Sequence, residues 1–376
     1  MMSQSERKAR YIMTGGFLGA GKTTAVVRLA RNLTDRGLRV GLISNDQSRG
    51  LVDTAAMRSH GFAVEEIAGG CFCCRFNSLL DATRSLTRAT RPDVFIAEPV
   101  GSCTDLIATV SYPLRRIYGD EFEIAPLSVL VDPNRAARIL GLSEGRSFSE
   151  KVIYVYRKQL EEADIIVINK CDLLDAESLD RLRRALRDAF PRAELLACSA
   201  RTGDGLEDWF GKLLEPGRHK MHALALDYAR YADGEALLGW LNATAAISAQ
   251  QEFDANAWLL DLGRRLGAAL RPQVREIAHL KMTLDVRDIA GSLCVVSLVG
   301  GDAEPEMRET LADRVDAGTL VINLRAEGDP ELMRRVTTQV LNECIDNVPG
   351  LSATIEHLER FRPAKPTPTH RLTVPV

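Results

Sequence analysis

The stretch Gly16-Phe17-Leu18-Gly19-Ala20-Gly21-Lys22-Thr23-Thr24 constrains this chain more than any other. It follows a short apolar run, residues 11–13, and precedes Ala25, Val26, Leu29, Ala30 and Leu33, spaced as on one face of a helix. A strand, a glycine-rich loop closing on Lys-Thr and then a helix form the setting of a phosphate-binding loop. Gly16, Gly19 and Gly21, with Ala20 between them, let the backbone turn its N–H groups toward phosphate oxygens. The helix start adds a partial positive charge at the same place. In this pattern Lys22 reaches the β- and γ-phosphates, and Thr23, with Thr24 beside it, offers a hydroxyl to Mg²⁺. The ligand class is a nucleoside triphosphate.

The chain has 376 residues, too many for one simple core. We expect a P-loop domain over 1–216, a smaller α+β domain over 217–360 and an extended proline-rich tail over 361–376. A formal net charge of -3 with no run of lysines or arginines gives no footprint for nucleic acid. No apolar stretch has the length of a bilayer span, and residues 1–10 lack an apolar signal core. The expectation is a cytoplasmic protein with neither nucleic acid nor membrane as partner.

Residues 11–215 alternate strand-like and helix-like patterns. Strands are expected at 11–13, 40–44, 94–97, 127–131, 165–168 and 193–197, with helices such as 79–88 and 179–190 between them. The fold class is α/β, a P-loop NTPase with a mostly parallel sheet whose ligands collect at the carboxyl ends of the strands. The motifs fall at those ends. The strand 40–44 runs into Asn45-Asp46-Gln47, where Asp46 is placed to hold Mg²⁺ or to orient the attacking water. Residues 48–60 then read as a mobile switch. The strand 93–97 ends in Glu98-Pro99-Val100-Gly101, with Glu98 near the metal and the Gly101 N–H aimed at the γ-phosphate. The strand 165–168 runs into Asn169-Lys170-Cys171-Asp172. A carboxylate at Asp172 accepts from guanine N1–H and the exocyclic amine, a donor pair that adenine lacks. Asn169 braces that loop, Lys170 lays its stem over the base, and Ser199-Ala200 offers backbone N–H groups to the guanine oxygen. These three together select GTP.

Eight cysteines suit free thiols or metal ligands rather than disulfides, and three of them crowd into Gly69-Gly70-Cys71-Phe72-Cys73-Cys74-Arg75. Cys71, Cys73 and Cys74 form a compact soft-ligand set that favours Zn²⁺ or Cu(I), with Co²⁺ also compatible. Extended backbone would send Cys74 away from the other two, so joint ligation requires a bent loop. A fourth ligand is left open among water, Glu65, Glu66 and Cys103.

The combination GGFLGAGKTT, GCFCC after an acidic pair, E-x-x-G, NKCD and SA resembles the CobW-like GTPases, which include nitrile hydratase activators and zinc chaperones. These are relatives of the nickel-insertion GTPases of urease and hydrogenase maturation. The resemblance covers residues 11–215 and implies family roles for Lys22 and Thr23 at phosphate and Mg²⁺, for the three cysteines at metal, for Glu98 as sensor, and for Asn169, Lys170 and Asp172 at guanine. Where the family's first switch reads N-E-F-G-E, this chain has Asn45-Asp46-Gln47-Ser48-Arg49, and it lacks the histidine-rich tract of many members.

Past residue 217 the expected elements are a strand at 224–228, helices at 236–241 and 257–270, strands at 277–286, 292–298 and 320–324, and a helix at 330–345. This order suggests a ferredoxin-like sandwich serving partner docking or homodimer formation. The function expected is a GTP-binding, slowly GTP-hydrolysing metallochaperone that couples nucleotide state to Zn²⁺ or Co²⁺ delivery to a client metalloenzyme. The alternative is a client-remodelling GTPase that assists cofactor loading or reactivation of a cobalamin-dependent enzyme, with a structural cysteine site.

Overall fold

The computed structural model describes residues 8–45, 57, 60–119, 121–217, 221–286 and 293–374. Its first sheet runs β3 (Ala63–Ile67), β2 (Val40–Asn45), β4 (Val94–Glu98), β1 (Ala9–Gly16), β6 (Ser128–Val131), β7 (Ile165–Ile168) and β8 (Glu194–Ala197), with β5 (Phe122–Ile124) beside the first half of β1. Every pairing in it is parallel. Parallel strands covered on both faces read as continuous apolar runs, as Ile165-Ile166-Val167-Ile168 does, with all four residues buried. One face is covered by a core that includes Phe72, Phe76, Leu79, Val152 and Tyr156. The other is covered by Val26, Leu29 and Leu33 of helix Lys22–Asp35 together with Trp209 and Phe210. The α/β expectation holds, and the sequence pattern missed only the short strands β3 and β5.

The C-terminal region is a second, antiparallel sheet in the order β12 (Glu306–Glu309), β11 (Leu293–Leu298), β10 (Glu276–Asp285), β13 (Val315–Glu327), β9 (Leu238–Phe253) and β14 (Leu351–Phe361). Helices Ala255–Leu270 and Pro330–Asp346 follow β9 and β13, so the spatial order β14-β9-β13-β10 is the ferredoxin-like split βαβ arrangement. The hairpin β11–β12 is inserted at one edge. Leu280, Met282 and Leu284 of β10 face these helices in a core with Leu259, Leu262, Val340 and Leu341.

Two expectations fail here. Residues 224–227 carry no strand and lead into helix Tyr228–Glu235, whose N-cap Asp227 accepts from the N–H groups of Ala229 and Arg230. The helix expected at 236–241 is instead the start of β9. Leu241 and Ala243 enter the second core while Leu238 and Trp240 enter the first, so this strand is apolar on both faces at that end. Without a period of two, helix and buried strand look alike in sequence. β14 was missed for the opposite reason: it is an edge strand with Glu356, Glu359 and Arg360 exposed or partly so, and its alternation is weak.

The two sheets share a core through Leu238, Trp240 and Ala278. Arg135 pins them further, donating to Leu18 O and, at 2.7 Å, to Ala278 O. Its guanidinium lies 5.5 Å from the Phe17 ring and 5.3 Å from that of Phe148. Among the described residues no helix is long and apolar enough to cross a membrane.

Candidate functional site

The carboxyl ends of β1, β2, β4, β6 and β7 present Gly16, Asn45, Glu98, Asp132 and Asn169 along one edge of the sheet. Gly21 caps helix Lys22–Asp35 at φ 87°, and a Cβ there would collide with the amide of Asn169, so glycine is required on both counts. Lys22 Nζ donates to Gly16 O at 2.9 Å and lies 4.0 Å from Glu98 Oε1. The Thr23 hydroxyl donates to the same Glu98 oxygen at 3.0 Å. Lysine, hydroxyl and carboxylate thus meet at the mouth of the loop. Gly101 lies against Leu18, where a Cβ would come within 3.0 Å of the Leu18 nitrogen. Asp46 and most of the segment 48–60 lie outside the described residues.

The guanine-motif residues are assembled as one brace. Asn169 Nδ2 donates to Ala20 O at 2.8 Å, and its Oδ1 accepts from Ala200 N at 3.0 Å, joining phosphate loop, N-K-x-D and Ser-Ala loop. Ser199 N donates to Asp204 O at 2.8 Å, so the Ser-Ala N–H groups hold the loop's own shape. Lys170, at φ 57°, donates to Gly19 O at 2.9 Å and to Asp132 Oδ2 at 2.7 Å. Burial works against charge on Asp132, but Lys170 and Arg135 outweigh it and hold that carboxyl below the usual range. Burial also opposes charge on Asp172, yet the Ser199 hydroxyl and the Arg201 guanidinium keep it low. Asp132 was missed in the sequence, although a strand running into Asp-Pro at a helix start was the available signal.

The opposite wall comes from the second sheet. Gly19, Gly21, Thr23, Thr24, Asn169, Lys170, Ala200 and Arg201 share one cavity with Lys281, Val295, Ser297, Val299, Arg308 and Glu309. A Cβ on Gly19 would sit 2.7 Å from Val299. His279, on the strand carrying Lys281, is held neutral by burial and by the cations Lys281, Arg325, Lys22 and Arg135. Lys170, Arg201, Lys281 and Arg308 line the cavity, and a lining with that many cations suits a polyphosphate. No local sequence signal announced Lys281 or Arg308.

The thiols lie at a bend, as joint ligation requires. Cys74 N donates to Cys71 O at 3.0 Å and Arg75 N to the same oxygen at 2.9 Å, closing a helical turn before helix Phe76–Thr90. Sulfur separations are 2.7 Å for Cys71–Cys73, 3.3 Å for Cys71–Cys74 and 3.6 Å for Cys73–Cys74. Three sulfurs on one tetrahedral Zn²⁺, each about 2.3 Å from it, lie about 3.8 Å apart, so this set fits such an ion after small movements. Cys103, buried in the same core, acts with Cys73 and Cys74 to pull the Cys71 thiol well down, while Cys73 and Cys103 are pushed up. Glu65 instead accepts from Ser85 at 2.7 Å. Asn45, at the end of β2, clamps this loop. Its Nδ2 donates to Ile67 O at 2.9 Å and Gly70 O at 2.7 Å, and its Oδ1 accepts from Phe72 N at 2.9 Å.

The segment after Glu98 is fixed from below by helix Glu150–Glu162. Gln159 Nε2 donates to Gly101 O at 2.9 Å and Cys103 O at 2.8 Å, and Glu162 accepts from Thr104 Oγ1 at 3.1 Å and Ile107 N at 3.3 Å. Burial, then the Asp105 carboxylate, pushes Glu162 from its ordinary 4.5 up to about 8. The folded state therefore holds a proton that the unfolded chain has released between these values, and this contribution, full below 4.5, is lost as pH rises through about 8. The melting temperature should fall across that window. Glu162→Gln, which cannot ionise, should flatten the fall in a fluorimetric melting series; an unchanged slope would assign the pH dependence elsewhere.

Residues 10–197 match the family model described as CobW/HypB/UreG, nucleotide-binding domain. The zinc chaperone CobW of Sinorhizobium sp is 30% identical over 187 residues, 45% of this chain and 52% of that protein. The zinc chaperone YeiR of Escherichia coli (strain K12) is 30% identical over 172 residues, 45% of this chain and 48% of that protein. The chain thus spans about half the length of these curated relatives. Among solved structures, HypB from Helicobacter pylori in complex with nickel aligns at 19% identity and TM-score 0.41, covering 57% of this chain and 93% of that one. Zn(II)-bound YjiA GTPase from E. coli aligns at 14% identity and TM-score 0.36, covering 89% and 99%.

Proposed function

Because the chain belongs to the CobW/HypB/UreG family, we propose that it is a cytoplasmic GTPase that carries a transition metal, Zn²⁺ or Co²⁺, to a client metalloprotein. The observation that carries this reading is the position of the thiols between both nucleotide-dependent segments. Asn45, which opens the first switch, bonds both sides of the cysteine loop, and Cys103, two residues after Gly101, is buried in the same core as Cys71. Lys22 and the loop N–H groups hold the β- and γ-phosphates; Thr23 and Glu98, with Asp46, hold Mg²⁺, which neutralises charge on the transferring phosphoryl group. Asp172 reads guanine. When the Gly101 N–H engages a γ-phosphate, the segment through Cys103 takes up one position and the sulfur set is shaped for cargo. Hydrolysis frees that segment and loosens the set.

Coupling of this kind is reciprocal. Zn²⁺ affinity, measured by competition with a chromophoric chelator, should be roughly tenfold higher with a non-hydrolysable GTP analogue than with GDP. GTP affinity should rise by the same factor when Zn²⁺ is present. Cys71→Ser should abolish both effects. Equal Zn²⁺ affinities in the two nucleotide states would remove the chaperone cycle and leave a structural cysteine site.

A further inference from the structure

We infer that the C-terminal tail, residues 367–372, is an integral part of the thiol site: it donates a hydrogen bond to one of the sulfurs and covers the site from solvent. The proline-rich composition alone suggests only an extended tail over 361–376. Residues 367–372 have neither helix nor strand and are held by a ladder of contacts to the cysteine turn. Thr367 N donates to Cys74 Sγ at 3.2 Å, Thr369 N to Cys73 O at 2.9 Å, and Thr369 Oγ1 to Cys74 O at 3.2 Å. The His370 ring meets Phe76 edge-on with centroids 5.0 Å apart. Leu372 N donates to Ala108 O at 2.8 Å.

The tail is latched at Asp105. Arg371 Nε donates to Asp105 Oδ2 at 2.7 Å, and its Nη2 to Leu224 O at 2.9 Å. Tyr228 donates its hydroxyl to the same Asp105 oxygen at 2.6 Å. The carboxylate side chain is wholly buried, so the ion pair stands in a medium that screens it little. Asp105 itself sits at φ 64°, a conformation that costs a non-glycine residue energy unless surrounding contacts hold it.

The chemical consequence concerns Cys74, the half-buried member of the sulfur set. A backbone N–H aimed at a ligating sulfur stabilises its thiolate form and orients it, as outer partners of metal ligands generally do. Proline on both sides, Pro366 and Pro368, limits the backbone freedom of Thr367 and lowers the entropy lost on docking. The segment therefore slows both the loss of a bound soft cation and the approach of competing ligands.

This inference rests on the thiols binding metal, and two readouts separate the claims. In the metal-free chain, amide hydrogen exchange should show the N–H groups of Thr367, Thr369 and Leu372 protected, and Arg371→Ala should remove that protection. In the Zn²⁺-loaded chain, a stop codon after Pro366 should speed Zn²⁺ loss to a chelator by about tenfold. Thr367→Pro, which removes the N–H donor along with the side chain and fixes φ, should speed it roughly fivefold, while Thr367→Ala, which keeps the N–H, should behave as the parent. Unprotected tail amides, or Zn²⁺ loss at the same rate with and without residues 367–376, would overturn the inference. If no variant, the parent included, binds Zn²⁺, the metal reading fails while the exchange data still decide whether the tail docks.

Discussion

Lys22→Ala should lower GTP hydrolysis by roughly a hundred- to a thousandfold, the range typical of removing one preorganised group that meets charge in a transition state. Lys22 is 7% exposed, donates to Gly16 O at 2.9 Å and stands 4.0 Å from Glu98. It is thus aimed by the loop carbonyl and by a carboxylate, and it does not wander as a surface lysine does. A triphosphate entering the loop takes over this cation, whose pairing with negative charge in a partly dry site is worth far more than in water. Loss of the cation should weaken GTP more than GDP, because the γ-phosphate carries the charge that the lysine meets. The check is single-turnover hydrolysis with separate affinities for GTP analogue and GDP. Hydrolysis within threefold or so of the parent would mean that Lys22 is not the phosphate lysine, since that is less than the net worth of one charged hydrogen bond.

Asp172→Asn should exchange the base that the site accepts. In the proposed role, the parent carboxylate accepts from guanine N1–H and from its 2-amino group. An amide keeps one acceptor but turns the second position into a donor, which faces the 2-amino group of guanine and matches the 2-oxo group of xanthine. GTP affinity should fall by roughly a thousandfold and that for xanthosine triphosphate should rise, since an unpaired buried polar group is rejected strongly. Asp172 also pairs with Arg201, so a small loss of affinity for any nucleotide can follow from a looser loop. The change of preference between the two bases separates recognition from that loosening. Competition of both triphosphates against a fluorescent GDP analogue measures it. An equal drop for both bases would sink the assignment of Asp172 to guanine.

Motifs whose chemistry needs neighbours in sequence were readable before any fold was known. A phosphate loop needs strand, glycines and helix in one short stretch, and three thiols within four residues must meet if the backbone bends. The bend itself, with Arg75 N and Cys74 N both closing on Cys71 O, follows from the same local stretch. The parallel sheet was legible too, because strands buried on both faces are uniformly apolar. β9 failed the same test, since a fully buried strand has no period to separate it from a helix, and the exposed edge strand β14 had too little.

The sequence by itself carried the expectation of a guanine nucleotide and a soft metal as ligands, because both readings rest on residue types at short spacing. Only the tertiary structure decided what surrounds them. Asn45 on the cysteine loop, Lys281 and Arg308 across from the phosphate loop, and Thr367 at the Cys74 sulfur bring together residues from 22 to 293 positions apart. Such contacts leave no periodic trace in a chain, because they arise from how packed layers and a returning tail meet in space.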